Sequence, residues 1–504
     1  MRKQISRVAS WTMLSRIAGF VRDIIMAAVL GAGPIADAFL VAFRLPNHFR
    51  AIFAEGAVST AYVPAYTRIR TQEGAKTASR FANSVFGWQL LVQVLLLGVA
   101  LAATPWLITF LAPGFADDPT KFVLAEELMR ITFPSLLLIS CMALLAGNLN
   151  AVERFSAVAA APVLMNVCMI GGLLSWQWFP TVGHAAAWGV LASAVAQFML
   201  VWWAATRAGV GPGLPRPRLD EDTRKFFRAL GPAILGSMGV QVAMFADTII
   251  ASFLSNGALS ALYYADRINQ LPIGVIGIAA GTVVLPQMSK KLAEGDEDGA
   301  RGAQNRAMEF TLLLAAPCVV AFLLIPDIIM TALFQRGKFD AAAASAAGAT
   351  LSAYAVGLLA FVLIRSVVAS FYARGDTKTP LYASLTGIAA NVALKVALMG
   401  SFAQVGLALA TSVGAWINVA LVVFLARRRG FFIIDSRFRR NAIVIALASA
   451  ALALVLWAGR TWLPGLLENL PVLRVEITLA ALGLLGGMTY AGFIWKGLYS
   501  RKKI

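Results

Sequence analysis

Apolar segments long enough to cross a lipid bilayer recur along the whole of this chain. A membrane-crossing helix needs about 20 mostly apolar residues. The apolar segments alternate with short polar connections, and 59% of the 504 residues are hydrophobic while only 13% are charged. The sequence therefore predicts an all-α integral membrane protein with about 14 transmembrane helices. The predicted spans are 8–30, 36–66, 82–104, 125–150, 156–178, 184–206, 227–254, 260–289, 308–334, 342–372, 379–401, 404–426, 441–459 and 474–496.

Basic residues concentrate in alternate connections between these spans. One set of connections holds the clusters at 68–80, 207–228, 290–306 and 427–440, whereas the other set holds little beyond Lys121, Arg336, Lys338 and Arg460. Because Lys- and Arg-rich loops stay in the cytoplasm, both termini are predicted to be cytoplasmic. The same clusters account for the net charge of +18, and no nucleic-acid-binding motif accompanies them, so no nucleic-acid partner is expected.

Two stretches of the chain resemble each other at an offset of about six spans. The first reads "FVRDIIMAAVLGAGPIADAFLVAFRLPN" and the second "FADTIIASFLSNGALSALYYADRINQLP", and their Ala-x-Arg elements end at Arg44 and Arg267. An even number of spans makes the repeat parallel. The repeat predicts an N-lobe at 1–206, a cytoplasmic linker at 207–226, a C-lobe at 227–426 and two further helices at 427–504, with the lobes around a central cavity. Chance similarity between apolar segments is the alternative.

Charged residues interrupt several of the predicted spans. A charge at the centre of a bilayer costs about 2.5–3.5 kcal/mol on insertion scales, so such residues should face a polar cavity or a partner. The basic ones prevail on spans 1, 2 and 8, and guanidinium forks match phosphate oxygens bidentately. The pattern favours an anionic, phosphate-bearing substrate, although a structural ion pair is the alternative for any single arginine. These residues are Arg16, Arg22, Arg44, Arg50, Arg267, Arg365 and Lys395, with Asp23, Asp37, Glu55, Asp247 and Asp266.

Two charges deep in the second lobe form a separate candidate pair. Asp247 lies on the seventh predicted span and Lys395 on the eleventh. A mutual structural ion pair is the simplest interpretation. A cation site formed by Asp247 and Asn391 is the alternative, but Lys395, one helical turn from Asn391, would repel the cation.

Sequence motifs of enzymes are missing. The chain has no His-Glu-x-x-His, P-loop or Gly-x-Ser-x-Gly motif, and its histidines and three cysteines have no paired spacing. We therefore expect neither catalysis nor a metal or other cofactor. Without a nucleotide-binding motif, the energy for transport would come from an ion gradient, the membrane potential or the substrate gradient.

Four stretches resemble the MurJ (MviN) family of lipid II flippases, which belongs to the multidrug/oligosaccharidyl-lipid/polysaccharide exporter superfamily. They are "SRIAGFVRD", "GAGPIADAFLVAFRLPNHFRAIFAEGAVSTAYVP", "LFQRGKFD" and "SFYARGDTKTP". The resemblance implies two six-helix lobes around a V-shaped cavity, with helices 13 and 14 forming a groove for a lipid tail. It also implies that lipid II, an undecaprenyl-pyrophosphate disaccharide-pentapeptide, moves from the cytoplasmic to the periplasmic leaflet of the bacterial inner membrane by alternating access.

The resemblance also assigns residues to the substrate. It implies that arginines of spans 1 and 8 hold the pyrophosphate and that carboxylates lie near the two gates. The implied substrate-binding residues are Arg16, Arg22 and Arg267, with Asp37 near the periplasmic gate, Arg50 and Glu55 nearer the cytoplasmic gate, and Asp266 beside Arg267. Some members of the family are thought to bind sodium through second-lobe carboxylates, but Lys395 departs from that pattern.

Two other functions fit parts of the sequence. One is an exporter of drugs, or of other polyprenyl-pyrophosphate glycans, with the same fold. A drug extruder of organic cations should line its cavity with carboxylates and aromatic rings, which differs from the arginine-rich pattern here. The other is a scaffold for cell-wall enzymes, in which the charges are only structural. We expect lipid II and membrane lipids as the partners of a monomeric protein.

Overall fold

A computed structural model describes residues 2–50, 58–213, 216–466 and 473–499 of the chain. Within these ranges the protein forms 18 α-helices joined by turns, and it has no β-strand. Every predicted span coincides with one or more of these helices, although residues 51–57 of the second span lie outside the described residues. The prediction of an all-α protein is confirmed.

The helices pack into two compact units, which we describe separately. The first unit comprises Met1–Gly257 with Arg336–Phe339, and the second comprises Ala258–Gln335 with Asp340–Ile504. The first contains α1 (Arg2–Leu30), α2 (Pro34–Arg50), α3 (Val58–Gln72), α4 (Ala75–Ala102), α5 (Thr104–Leu111), α6 (Pro119–Thr132), α7 (Pro134–Ala151), α8 (Ser156–Leu174), α9 (Val182–Arg207) and α10 (Glu221–Ser252). The second contains α11 (Ala258–Pro272), α12 (Ile278–Ala293), α13 (Glu297–Leu324), α14 (Pro326–Phe334), α15 (Ala341–Tyr372), α16 (Lys378–Arg428), α17 (Ser436–Leu466) and α18 (Arg474–Ile494).

Nine helical segments of the described chain are long and apolar enough to cross a membrane. One of them is α16, which covers two predicted spans. Its two halves meet at a kink at Ala403, whose backbone angles (φ 44°, ψ −128°) are not helical. Helix α1 has 29 residues but is not among the nine, since Arg16, Arg22 and Asp23 interrupt its apolar sequence. A multi-pass membrane protein fits these lengths, and α1 needs a separate explanation for its charges.

The second, eighth and tenth predicted spans are long and contain Pro46, Gly274 and Gly357, which predicts that each is tilted or broken. The described helices differ in whether they break. After Pro272 the eighth span passes through a π-helical turn at Ile273–Gly277 before α12 begins, so the predicted break is present. The tenth span is the unbroken helix α15, so no break occurs at Gly357, and a tilt of this span stays a prediction. A Cβ on Gly357 would lie 2.6 Å from Ser412 Cα, so this glycine permits the close approach of α16 instead.

Aspartates mark the starts of several helices, among them α6, α10, α13 and α15. In these four, the aspartate side chain accepts a hydrogen bond from the backbone N–H three residues further on, at 2.7–3.1 Å, which satisfies a donor that the helix itself leaves free. These N-cap residues are Asp118 of α6, Asp220 of α10, Asp296 of α13 and Asp340 of α15. The polar connections between spans therefore also fix where the next span begins.

The predicted linker packs along α4 in the first unit. The Ser84 hydroxyl donates to the Arg218 carbonyl at 2.6 Å, and the Gly213 N–H donates to Asn83 Oδ1 at 2.7 Å. Packing separates the units between Gly257 and Ala258, one helix later than the predicted lobe boundary at 226/227. The predicted boundaries follow the sequence repeat, and they stay a prediction.

The last two helices pack within the second unit. Helix α17 lies against α13 and α18, and Asn441 Nδ2 donates to Glu309 Oε1 at 2.6 Å. On α18, the Tyr490 hydroxyl donates to the Leu313 carbonyl at 2.8 Å. These helices are thus fixed to α13 by polar contacts as well as by packing. Their predicted role as a groove for a lipid tail stays a prediction.

Candidate substrate site

The first predicted arginine cluster lies on α1, where the two arginines have different surroundings. Arg22 and Asp23 are 3% and 5% exposed, and Arg22 Nη2 lies 2.7 Å from Asp23 Oδ1. Arg22 Nε also donates to that oxygen at 3.1 Å, and Nη1 lies 3.9 Å from Met169 Sδ on α8. Arg16, by contrast, is exposed. The neighbouring carboxylate therefore compensates the charge of Arg22, whereas Arg16 is open to a ligand.

A contact with α8 fixes this part of α1. Asn166 Nδ2 donates to the Ser15 carbonyl at 3.0 Å, next to Arg16 in the chain. The nearest atoms to a Cβ on Gly19 would be those of the Asn166 side chain, at 3.5 Å or more. Gly19 thus faces a side chain across an ordinary van der Waals distance, and α1 continues through it without a break.

Asp37 lies at the centre of a buried polar network near the start of α2. It is 0% exposed, its Oδ2 accepts from the Gly257 N–H at 2.8 Å, and Lys121 Nζ of α6 lies 3.4 Å from the same oxygen. Lys121 also donates to Asn256 Oδ1 at 3.0 Å and sits 4.1 Å from the centre of the Phe115 ring. Asp37 therefore connects α2 and α6 to the chain segment that follows α10.

Sequence reasoning named Asp37 but missed its partners. Lys121 stands out in the sequence only as one of the few basic residues in connections otherwise almost free of them. That exception to the positive-inside pattern was a usable signal, because a lone lysine on the outer side of a membrane protein needs a reason. Asn256 and Gly257 gave no signal of their own.

A second missed element is the turn between α14 and α15, which packs with the first unit. Its backbone reaches the end of α1, where the Lys338 N–H donates to the Ala28 carbonyl at 2.8 Å. Gly337 has φ 56°, and a Cβ there would lie 2.3 Å from the same carbonyl oxygen. Only glycine fits this left-handed position without strain, which gives the "LFQRGKFD" stretch a physical role.

The α11 candidates lie in the second unit. Arg267 is partly buried, its Nη2 donates to the Tyr263 hydroxyl at 3.0 Å, and its guanidinium lies 5.0 Å from the centre of that ring. Asp266 accepts from Gln270 Nε2 at 2.6 Å. Residues one turn away on the same helix thus orient both charges.

The remaining predicted charges divide between the two units. Asp247, in the first, is partly buried, and Lys395, in the second, is 2% exposed. Their mutual ion pair stays a prediction. Arg44 is partly buried and Arg365 is exposed. Glu55 and the side chain of Arg50 lie outside the described residues.

No metal-binding constellation is present in the described ranges. Among those residues, no group of three or more His, Cys, Asp or Glu side chains could hold a metal ion. The charged groups described above are pairs of one cation with one carboxylate, or a cation beside aromatic and amide groups. Such sets bind anions or one another, and they lack the oxygen or thiolate cages that metals require.

The fold and these charges define a class of protein: a polytopic helical membrane transporter with charges inside its spans. A solved structure described as "Lipid II flippase MurJ, inward closed conformation" aligns with 97% of this chain and 99% of its own, with a TM-score of 0.79 and 23% identity. An inward-facing multidrug transporter of the MATE family and MOP superfamily covers 84% of this chain and 97% of its own, with a TM-score of 0.67 and 16% identity. Both comparisons show a shared fold.

Sequence comparisons give the family. The family described as "Lipid II flippase MurJ" matches residues 26–472. A "Probable lipid II flippase MurJ" of Rhizobium meliloti (strain 1021) is 39% identical over 92% of this chain and 87% of its own length. A "Lipid II flippase MurJ" of Burkholderia cenocepacia is 31% identical over 97% of this chain and 96% of its own. The chain belongs to the lipid II flippase MurJ family, which is a family of transporters and not of enzymes.

Proposed function

We propose that this protein flips lipid II from the cytoplasmic to the periplasmic leaflet of the bacterial inner membrane by alternating access. Membership of the MurJ family and coverage of nearly the full length of its relatives support this proposal. The transported lipid carries an undecaprenyl chain, a pyrophosphate and a disaccharide-pentapeptide. In the proposed orientation both termini are cytoplasmic and the protein acts as a monomer.

Arg16, Arg22 and Arg267 hold the pyrophosphate in this proposal. The observation that carries it is the contrast on α1, where Arg22 is buried against Asp23 and Arg16 is exposed. An exposed guanidinium inside a membrane span is costly unless an anion binds it. Arg22, oriented by Asp23, would contribute guanidinium N–H donors, while Arg16 supplies the uncompensated positive charge.

The carboxylates have different proposed roles. Asp37 acts at the periplasmic gate, because its buried contacts join α2 and α6 to the segment after α10 and could be made or broken as a unit. Asp266 orients polar groups beside Arg267. Arg50 and Glu55 act nearer the cytoplasmic gate, as the family resemblance implies.

The energy source is part of the same proposal. A net positive cavity that changes its exposure across the membrane would sense the membrane potential, at about 2.3 kcal/mol per charge per 100 mV. An ion gradient is the other possible source. Measuring lipid II flipping in proteoliposomes at imposed potentials, with and without ion gradients, separates the two.

Complementation of a flippase-depleted bacterium tests the proposed function. We expect Arg16→Ala, Arg22→Ala and Arg267→Ala each to abolish or strongly reduce growth at normal expression. Arg80→Ala is the matched control, since Arg80 is an exposed arginine of a basic connection, and it should grow normally. Normal growth of all three cavity variants would reject the proposal and favour a scaffold whose charges are structural.

A multidrug exporter is the alternative that shares the fold. It predicts that expression of this chain raises the resistance of a drug-sensitive strain to organic cations. We expect no such resistance, because the charged residues of the first predicted span, 8–30, are Arg16, Arg22 and Asp23, two cations and one carboxylate. Resistance together with failed complementation would favour the multidrug function.

A further inference from the structure

A pocket of about 650 Å³ opens at one end of the first unit, and none of the residues proposed to bind the pyrophosphate lines it. It lies between the start of α1, the turn joining α7 to α8, and the end of α9. These three elements belong to the side predicted to be cytoplasmic. We call it the α1–α9 pocket, and its polar and aromatic lining consists of Arg7, Trp11, Glu153, Arg154, Phe155, Ser156, Trp203 and Arg207.

The pocket has an excess of positive charge. Arg7, Arg154 and Arg207 are all exposed, and none of them forms a salt bridge within the described part of the chain. The Arg207 guanidinium lies 4.3 Å from the centre of the Trp203 ring, which holds it at the rim. Glu153 is the one carboxylate of the described lining, so the pocket carries a net formal charge of +2.

Part of the pocket lining is apolar. It includes Ala157, Ala160, Val163 and Leu164 of α8 and Leu200 of α9. Tryptophans such as Trp203, which is 53% exposed, are typical of the membrane–water interface. The pocket thus combines basic side chains with an apolar surface beside them. This combination fits an amphiphile that has a phosphate headgroup and an acyl chain.

We propose that the α1–α9 pocket binds phosphatidylglycerol of the cytoplasmic leaflet. The arginines take the phosphodiester, and an acyl chain lies along α8 and α9. Basic pockets between helices on the cytoplasmic side are typical sites for anionic lipid headgroups. Glu153 favours this lipid over a pyrophosphate, because its carboxylate would repel a second phosphate.

Native mass spectrometry of the purified full chain tests the proposal. The probe is phosphatidylglycerol, with phosphatidylcholine of the same acyl chains for comparison. We expect the wild type to prefer phosphatidylglycerol, the triple variant Arg7→Gln/Arg154→Gln/Arg207→Gln to bind it roughly a hundredfold more weakly, and each single variant about fivefold more weakly. Arg80→Gln, an equal charge change on an exposed arginine outside the pocket, should bind like the wild type.

Two further arms separate the possible sources of the phosphate. Undecaprenyl pyrophosphate and inorganic phosphate are each added as competitors, and neither should displace phosphatidylglycerol from the pocket. Unchanged melting temperature of the triple variant shows that it is folded. Equal wild-type affinity for both phospholipids, retained binding by the folded triple variant, or displacement by either competitor would overturn the proposal. Because binding is measured without transport, failure here leaves the proposed flippase activity unaffected.

Discussion

The buried network around Asp37 and the α1 arginines show two ways of keeping charge inside a membrane protein. Asp37 and Lys121 are 0% and 4% exposed, and each contacts a further polar group from the segment after α10. On α1, Arg22 is paired in the same way, but Arg16 is exposed. Because Asp23 already pairs with the Arg22 guanidinium, removing Arg22 leaves a buried carboxylate without its partner, whereas removing the exposed Arg16 leaves no such group behind. The comparison thus predicts that changes at Arg22 lower stability as well as transport, and that changes at Arg16 lower transport alone.

The largest effect on stability is expected from Lys121→Met. Breaking a buried ion pair typically costs about 3–5 kcal/mol, because the remaining charge loses its compensation. We expect the free energy of unfolding in mixed detergent micelles to fall by about 3 kcal/mol. The loss is at the lower end of this range because Asp37 still accepts the hydrogen bond from the Gly257 N–H. Lys76→Met, at an exposed lysine, is the control and should change it by less than about 0.5 kcal/mol.

Adding Asp37→Asn completes a double-mutant cycle. If the two residues stabilise the fold as a pair, the double variant should be more stable than the sum of the single changes predicts. Strict additivity would mean that the 3.4 Å contact between Lys121 and Asp37 contributes nothing to stability. The buried network would then not be an example of stabilising charge pairing.

The next effect separates the two arginines of α1. Arg22→Gln should lower the free energy of unfolding by about 2 kcal/mol, because the buried Asp23 loses a charged partner. Arg16→Gln should change it by less than about 0.5 kcal/mol, since the residue is exposed. Both are measured in the same micelles, and equal destabilisation by the two changes would remove the distinction between a paired and a free arginine.

A smaller loss is expected from Gly337→Ala in the turn that reaches α1. The left-handed backbone costs about 1–2 kcal/mol for a residue with a Cβ, and the contact with the Ala28 carbonyl must also shift. The melting temperature of the variant should fall measurably. Gly33→Ala is the control, because a Cβ at Gly33 meets nothing within 4 Å. A normal melting temperature for Gly337→Ala would mean that the turn adapts freely.

The smallest effect concerns Asp376 in the turn between α15 and α16, outside the spans. Hydrogen bonds from the Thr379 N–H and hydroxyl, and then Arg429, lower the pKa of Asp376 from 3.8 to about 2. A lowered pKa gives stability that is fully present above the unfolded value and is lost as the pH falls through the folded one. Asp376→Asn should therefore melt slightly below the wild type at pH 7, and the gap should close between about pH 4 and pH 2. A gap that is unchanged at pH 2 would contradict the role of ionised Asp376.

Local patterns in the sequence predicted the helices well. Runs of about 20 apolar residues predicted spans that each coincide with one or more of the helices α1 to α18, where the chain is described. Gly357 shows where such patterns are ambiguous. A glycine inside a span can mark a break, but here α15 continues and α16 packs closely against it. Only the position of Ser412 in the folded protein reveals that role.

The candidate site was predictable only where partners are close in sequence. Arg22 and Asp23 are adjacent, so their pairing could be suspected from the chain alone. Asp37 and Lys121 are 84 residues apart, and no periodic pattern links a residue at the start of α2 with one in α6. Long-range contacts depend on tertiary packing, and the repeat gave the only sequence evidence for which spans correspond.

Lipid II flipping by the Arg16→Gln variant in proteoliposomes is the most direct test of the central claim that the exposed arginine of α1 binds the pyrophosphate. Loss of one charge-assisted contact of about 1.5–3 kcal/mol predicts a flipping rate roughly ten- to a hundredfold below the wild type. Melting temperature and reconstituted amount should match the wild type. A wild-type rate from the folded variant would contradict the claim.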